Sequence, residues 1–393
     1  MNTALAFTDD QAMILDGARE FCRAKSPIEK VRSLLDSETG FDPAVWQEMV
    51  DLGWPALAIP EEHGGAGLDI GTTVPLAESM GRTLLSTPFF SVTLVAQGLL
   101  RAGTPEQQAR WLPELVAGRI ATLALLDDGD WGAPTSTCTA TRDGDASPSG
   151  RAQVASSPMP AWPRPSSSGA PSTAPMRWCG WTGKPSVPMP SATTSSSTRP
   201  GAPRRSTWPA RPSPPMQLLD PAKTTAALRD LKLLGAMLTA AEATGSTAAC
   251  LDVIVDYLKT RRQFGQLIGA YQSLKHPTVD ILNAMDSARS LVYHAATVVG
   301  DGSLDEDAET ACRMAKVEAG DALLFAGDRA VQFHGAMGFT HECDAQLFIR
   351  RGQWMRQWFG DPAQHRRRLA RAAARRSPAG WRARRSSRSA ARV

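Results

Sequence analysis

Apolar residues recur at three- and four-residue steps in two long stretches, the pattern of helices with one buried face. In the first, Thr8 and Gln11 have the spacing of a reciprocal N-terminal cap, and Ile14, Leu15, Ala18 and Phe21 follow as a stripe. Thr104-Pro105-Glu106-Gln107 predicts a stronger helix start. Thr104 caps, Pro105 fits the first turn, Glu106 suits its positive end and Gln107 closes the box. Trp111, Leu112 and Leu115 supply the stripe, and Gly118 ends it. Between these helices lies Leu57 to Gly67, a glycine-bearing loop without GxGxxG spacing or a clear preceding strand, so it does not indicate a nucleotide fold. Ala121 to Leu126 and Thr137 to Thr141 begin like strands. Four long amphipathic helices follow from Leu218. The first carries Leu231, Leu234, Leu238, Leu251, Val255 and Leu258. The second carries Val279, Leu282, Met285, Leu291 and Val298. The third spans about Glu306 to Phe333 with Met314, Val317, Leu324, Phe325 and Val331. The fourth holds Leu347, Phe348, Arg351, Trp354, Met355 and Trp358. Short connections between them predict an up-and-down bundle.

Composition changes this picture in two places. Residues 146–215 hold 16 Pro and 15 Ser with no Asp, Glu, Leu, Ile or Phe, so the prolines remove ladder donors and no alternating apolar face exists for an ordinary sheet. Residues 371–393 carry eight Arg and no acid and predict a basic, disordered tail. The two segments bear sixteen positive charges. Removing these from the formal +4 leaves −12 on the other 300 residues, so a nucleic-acid role would rest on abnormal stretches alone. They also lack regularly spaced aromatic-basic motifs. No run of 18 apolar residues predicts a membrane span, and the acidic start lacks the pattern of a secretory signal. The six cysteines are scattered without a CxxC pair, and the six His show no ligand spacing. The expectation is a reducing, cytoplasmic compartment and no metal.

Four motifs carry chemistry. Tyr257 to His276 includes Arg261-Arg262-Gln263-Phe264-Gly265-Gln266-Leu267-Ile268-Gly269-Ala270-Tyr271-Gln272. Downstream stands Gln332-Phe333-His334-Gly335-Ala336-Met337-Gly338-Phe339-Thr340-His341-Glu342. Both resemble signatures of the flavin-dependent acyl-CoA dehydrogenases, with Tyr271 in place of Phe and Ala336 in place of Gly. Trp54 to Gly67 and Thr104 to Gly118 resemble two further motifs of that family, in the same order. The resemblance covers roughly residues 1–145 and 216–370. It implies a mainly α fold: an N-terminal helical domain (1–120), a middle β domain (121–216, degraded from 146), a C-terminal four-helix bundle (217–370) and the tail (371–393). The composition of 146–215 is that of a GC-rich gene read out of frame, with the frame restored near Pro215. A second slip or read-through would explain the sequence after about Leu369. A natural disordered linker has the same composition.

The resemblance further implies FAD as cofactor, an acyl-CoA substrate, an electron-transfer flavoprotein as acceptor and a homo- or hetero-oligomer, dimer or tetramer. Arg261 is the implied pyrophosphate contact, reaching to a neighbouring subunit. Phe264 would pack beside adenine or flavin, Gln272 and Gln332 would bind ribityl or phosphate oxygens, and Gly335 and Gly338 would permit close backbone approach. Each has a plainer reading: a solvated cation, bundle core, helix capping, an ordinary turn. His276 reads as a buried histidine. The implied reaction removes an α-proton to a carboxylate while a hydride leaves the β-carbon for the flavin. Relatives commonly place a Glu where Phe359 stands. Asp361, two residues on, is the first candidate base, and its plain reading is a turn residue before Pro362. A minority of relatives use a position matching Gly235, which cannot serve. Glu242, two turns later on an apolar helix, is the second candidate. The displaced base leaves open a non-catalytic or half-site subunit of a mixed oligomer, and nucleic-acid binding through the basic segments is the remote third reading.

Overall fold

The computed structural model describes residues 9–35, 37, 39–123, 139–143, 146–151, 220–300 and 302–376. The expected strand Ala121–Leu126 lies partly outside them, as do Thr8, most of the Pro- and Ser-rich segment and the tail beyond Arg376. The chain divides into two compact units. One comprises Phe7–Gly235 and Asp301–Ser303; the other is built mainly from Ala236–Gly300 and the chain from Leu304 onward.

The first unit is a helical cluster of α1 (Asp9–Lys25), α2 (Ile28–Leu34), α3 (Pro43–Asp51), α4 (Val74–Arg82), α5 (Phe89–Ala102) and α6 (Pro105–Val116). Met49, Leu76, Phe89, Val92 and Leu112 form its fully buried centre. The capping box expected at Thr104 is present: Gln107 N–H donates to Thr104 Oγ1 at 3.3 Å and Gln107 Oε1 accepts from Thr104 N–H at 3.0 Å. Gly118 ends α6 at φ +89°, and its carbonyl accepts from Trp46 Nε1–H at 3.0 Å. The glycine loop folds back on itself. Gly67 N–H donates to Ile59 O at 2.8 Å, Leu68 N–H to Leu57 O at 3.0 Å, and the buried Gln97 amide to Ala58 O at 3.1 Å. A Cβ on Gly65 would stand 2.0 Å from Ile59 O, so only glycine closes this loop. A buried charge cluster also belongs to this unit. The Asp230 carboxylate, 2% exposed, takes Arg229 at 2.8 Å and the buried Arg101 at 3.4 Å.

A two-stranded antiparallel ribbon, β1 (Thr139–Asp143) and β2 (Ala146–Arg151), corrects the expectation that no strand would enter the Pro- and Ser-rich segment. Thr141 pairs Ser149 and Asp143 pairs Ala146, leaving a bulge that contains Pro148. The proline thus sits where no ladder donor is required.

The second unit holds most of α7 (Pro221–Thr260), then the hairpin β3 (Arg262–Gln263) and β4 (Gln266–Leu267), α8 (Gln272–Val298), α9 (Glu306–His334), α10 (Ala345–Gln357) and α11 (Pro362–Arg376). The four expected long helices are present, and α9 packs against α8, α10 and α11. By length and composition α7 is apolar enough to cross a membrane, but it is mostly buried inside the protein, as a core helix is. The helix α11 was not expected. It runs past the predicted boundary at 370, through Arg376.

The buried faces of α8 and α9 differ from the expected stripes. On α9 the interior positions are Ala315, Ala319, Ala322, Ala326 and Ala330, whereas Met314 is 41% exposed and Leu324, Phe325 and Val331 are half-buried. On α8, Ile281, Ala288 and Val292 face inward, and Val279 and Leu282 are exposed. Small residues let the helix axes approach. A Cβ on Gly327 would lie 2.7 Å from Ile349 Cα of α10. Val317, as expected, and Leu323 share the buried face of α9, while several other large apolar residues are left on outward faces.

Candidate functional site

Two helix ends meet at one end of the bundle. The Tyr257 ring, in the last turn of α7, stacks on His334, the last residue of α9, with centroids 4.0 Å apart. The His334 ring is itself tied to Ala330 O through Nδ1 at 2.7 Å. The hairpin that follows α7 and the turn that follows α9 are thereby held beside each other. Ile268 N–H donates to Arg261 O at 2.9 Å, and a Cβ on Gly269 would be 2.7 Å from Leu258 O, so the hairpin is pressed onto the end of its own helix.

The hairpin turn consists of Phe264 at φ +53° and Gly265 at φ +80°. Positive φ at both central residues matches a twisted two-residue hairpin, but a phenylalanine there costs roughly 1 kcal/mol that asparagine or glycine would not. The Phe264 ring is 91% exposed and, among the described residues, meets Tyr271 edge-on at 6.5 Å, so burial against them does not offset that cost. The plain reading of Phe264 as bundle core is therefore excluded. Arg261 is exposed and forms no ion pair among the described residues. Gln272 is the first residue of α8, whose N-cap Tyr271 supplies no side-chain acceptor; its carbonyl takes Leu274 N–H and Lys275 N–H at 3.1 Å each, so among the described residues the N–H groups of Gln272 and Ser273 at the positive helix end are left without an acceptor. Gln332 is exposed. Gly335 adopts φ +63° with open space on its Cβ side. Gly338 is different: a Cβ there would lie 2.3 Å from Val331 O, so this glycine serves the packing of the turn on α9. His276 is exposed, against expectation, because its turn of α8 faces outward.

The two candidate bases lie elsewhere. Asp361 stands between α10 and α11. Its Oδ1 accepts from Gln364 N–H at 2.7 Å and so caps α11, while Oδ2 accepts no hydrogen bond among the described residues. Just before it, Phe359 is buried at φ +58° and Gly360 sits at φ +109°. Lys316 of α9, 2% exposed, donates to Met355 O at 2.7 Å and Arg356 O at 3.3 Å, satisfying the last carbonyls of α10. Burial pushes the Lys316 ammonium down to about 7, partly opposed by the carboxylates of Asp321 and Asp361. Glu242 is buried in α7 and engaged by Arg351 of α10, whose Nε donates to Oε1 at 3.0 Å and whose Nη2 also contacts Oε1. The Arg351 guanidinium in turn lies 4.5 Å from the centre of the Trp354 ring. Burial raises the Glu242 carboxyl pKa and the Arg351 charge opposes that rise. A pairing across helices thus accounts for this buried acid without a catalytic role. The sequence signal for it was Arg351 on the apolar face of the fourth helix.

A sequence model of the acyl-CoA dehydrogenase N-terminal domain matches residues 8–119, and one of the C-terminal domain matches residues 231–374. The chain belongs to the acyl-CoA dehydrogenase family. It is 29% identical over 346 residues to acyl-CoA dehydrogenase IpdE2 of Mycolicibacterium smegmatis, covering 87% of this chain and 91% of that one. It is 28% identical over 349 residues to the mitochondrial short-chain specific acyl-CoA dehydrogenase of Sus scrofa, covering 84% and 83%. The fold is that of the ChsE4-ChsE5 complex from Mycobacterium tuberculosis, with TM-score 0.74 at 22% identity over 96% of this chain and all of that one. Butyryl-CoA dehydrogenase from Megasphaera elsdenii gives TM-score 0.71 at 17% identity over 95% and 100%.

FAD is the cofactor of acyl-CoA dehydrogenases. The bundle end fits such a group on its own geometry. An exposed unpaired guanidinium and an uncapped helix start suit a diphosphate, and a strained, exposed aromatic ring suits a flat heterocycle. Within one chain, however, the candidate base is far from this end. Arg313, which neighbours the Asp361 turn, and Gln332 lie 19 residues apart on α9, about 28 Å at 1.5 Å per residue.

Proposed function

We propose that the chain is an FAD-dependent acyl-CoA dehydrogenase that introduces an α,β double bond into an acyl-CoA thioester and passes the electrons to an electron-transfer flavoprotein. Arg261, Phe264, Gln272, Gln332 and Gly335 hold the dinucleotide portion of FAD, with Gly338 shaping the turn beneath it. Asp361 accepts the α-proton. Bound FAD supplies the hydride acceptor. The buried Phe359 precedes Asp361 in the turn, and the Gln364 N–H fixes one of the Asp361 carboxylate oxygens so that the other receives the proton. The observation that carries this reading is the convergence of the hairpin and the glycine turn through the Tyr257–His334 stack.

The separation along α9 favours a site shared between two copies, in which one chain's bundle end serves a flavin approached by the other chain's Asp361. Exposed Phe264, Val279, Leu282 and Met314 supply apolar area for such an oligomer. The free, buried Cys22, Cys250, Cys312 and Cys343 support a reducing, cytoplasmic location. A second reading is a half-site subunit paired with a complete dehydrogenase. It is favoured by Phe359 at the usual base position and by the pairing of Glu242 with Arg351.

Anaerobic bleaching of flavin by a panel of acyl-CoAs separates these readings. Asp361→Asn should slow bleaching by about a hundredfold or more while Glu242→Gln slows it little. If the parent bleaches only after co-expression with a partner dehydrogenase, and Asp361→Asn changes nothing, the half-site reading replaces the first.

A further inference from the structure

The turn that carries Asp361 is held by side chains that the mechanism above does not use. Phe359 at φ +58° and Gly360 at φ +109° form consecutive left-handed positions, and a non-glycine residue keeps such a conformation only where its surroundings over-determine it. The surroundings here are specific. His365, one turn into α11 and 2% exposed, makes a 3.1 Å hydrogen bond from Nε2 to Phe359 O. A carbonyl only accepts, so Nε2 carries the proton and Nδ1 bears a lone pair. Arg313 of α9 fills that lone pair, with Nη1 3.2 Å from Nδ1. Arg313 is itself held by Glu309 one turn earlier, Nε to Oε1 at 2.8 Å. The chain of bonds therefore runs Glu309, Arg313, His365, Phe359 carbonyl, from the rigid central helix to the turn. Gly360 has no room for a side chain, because a Cβ would lie 2.8 Å from His365 Nε2 and 2.4 Å from Gln364 Oε1.

We propose that His365 is a positioning residue for the reaction: held by Arg313, it fixes the left-handed Phe359–Gly360 turn and thereby aims the Asp361 carboxylate. The inference rests on the reading of Asp361 as the base. Burial, with the positive charges of Lys316 and Arg313 facing the ring, pushes the His365 pKa down to about 3 against the Phe359 carbonyl and Asp361, so the ring stays neutral at working pH. A neutral ring is what this arrangement requires, since imidazolium has no lone pair to offer Arg313. The His365 side chain does not serve as proton acceptor for substrate, because both of its nitrogens are engaged.

Hydrogen exchange by mass spectrometry on the full chain, combined with flavin bleaching by acyl-CoA, tests the proposal. His365→Ala should speed exchange across residues 358–364 and slow bleaching, each by about tenfold or more, with the acyl-CoA concentration at half-maximal rate unchanged. His365→Gln can still donate to the carbonyl and accept from Arg313, and should restore both to within about threefold of the parent. If the alanine variant does not fold, Arg313→Met, which removes only the bond to Nδ1, should show the same two changes at smaller size. An alanine variant that exchanges and bleaches like the parent, or a glutamine variant as defective as alanine, overturns the proposal. If Asp361→Asn bleaches at the full rate, the base assignment fails, while the exchange result still judges the hold of His365 on the turn.

Discussion

His365 makes an acid-sensitivity prediction. Its ordinary pKa of 6.5 falls to about 3 in the fold, chiefly through burial. Below 6.5 the unfolded chain binds a proton that the folded ring refuses, so this group's stabilisation is complete above about 6.5 and is lost progressively as pH falls toward 3. Urea melts at pH 7 and pH 4.5 should show His365→Gln losing less stability on acidification than the parent; an equal loss would contradict this. Arg351→Met should destabilise the fold by about 3–5 kcal/mol, because it strands the buried Glu242 carboxylate, whereas the double replacement Arg351→Met with Glu242→Leu should recover most of that. Denaturant midpoints of the two variants decide it. At this scale the sequence showed Glu242 as a polar residue on an apolar helix and asked for a reason. It could not show that Arg351 is the partner, because the two are 109 positions apart. The roles of Lys316 and His365 were equally hidden: Lys316 satisfies carbonyls at the end of α10, and His365 one carbonyl of the turn before its own helix while Arg313 of α9 meets its other nitrogen, and no sequence pattern marks either.

Helix starts with local chemistry were legible, and helix faces less so. The Thr104 box is written in four consecutive residues and is formed as expected. Thr104→Ala should cost about 1 kcal/mol of stability, read as a lowered denaturant midpoint, with the Gln107→Ala change adding little once Thr104 is gone. The faces of α8 and α9 were legible only in part: Val317 is buried as expected, but several other large apolar residues taken to mark the interior lie outside it. Alanine and glycine fill much of the closely packed seam beside Val317, Leu323, Ile281 and Val292, and the remaining large residues sit where another surface can meet them. The β1–β2 ribbon was missed because a Pro- and Ser-rich segment offers no alternating pattern. A bulge around Pro148 accommodates it locally. The short basic helix α11 was masked by the arginine-rich sequence that continues beyond it.

At the scale of the whole molecule, the order of four motifs disclosed the family and its helical architecture, since each motif encodes a turn that the fold needs. The expectation that 146–215 is out of frame falls almost entirely on residues outside those described; a second reading frame encoding alternating strands across that interval would bear it out. The distance along α9 between the candidate base and the candidate cofactor end, about 28 Å for 19 residues at 1.5 Å each, predicts complementation between chains. Mixed oligomers of an Arg261→Gln chain and an Asp361→Asn chain should recover bleaching that neither variant has alone, because one site in each pair is intact; no recovery would place both groups in one chain's site. The most direct test of the central claim is the visible absorbance of the purified full chain after incubation with excess FAD and gel filtration. The account predicts a yellow protein with oxidised-flavin bands, and an Arg261→Gln variant that loses most of the colour while keeping its far-ultraviolet circular dichroism. A colourless parent, or a variant that retains flavin as tightly as the parent, would contradict it.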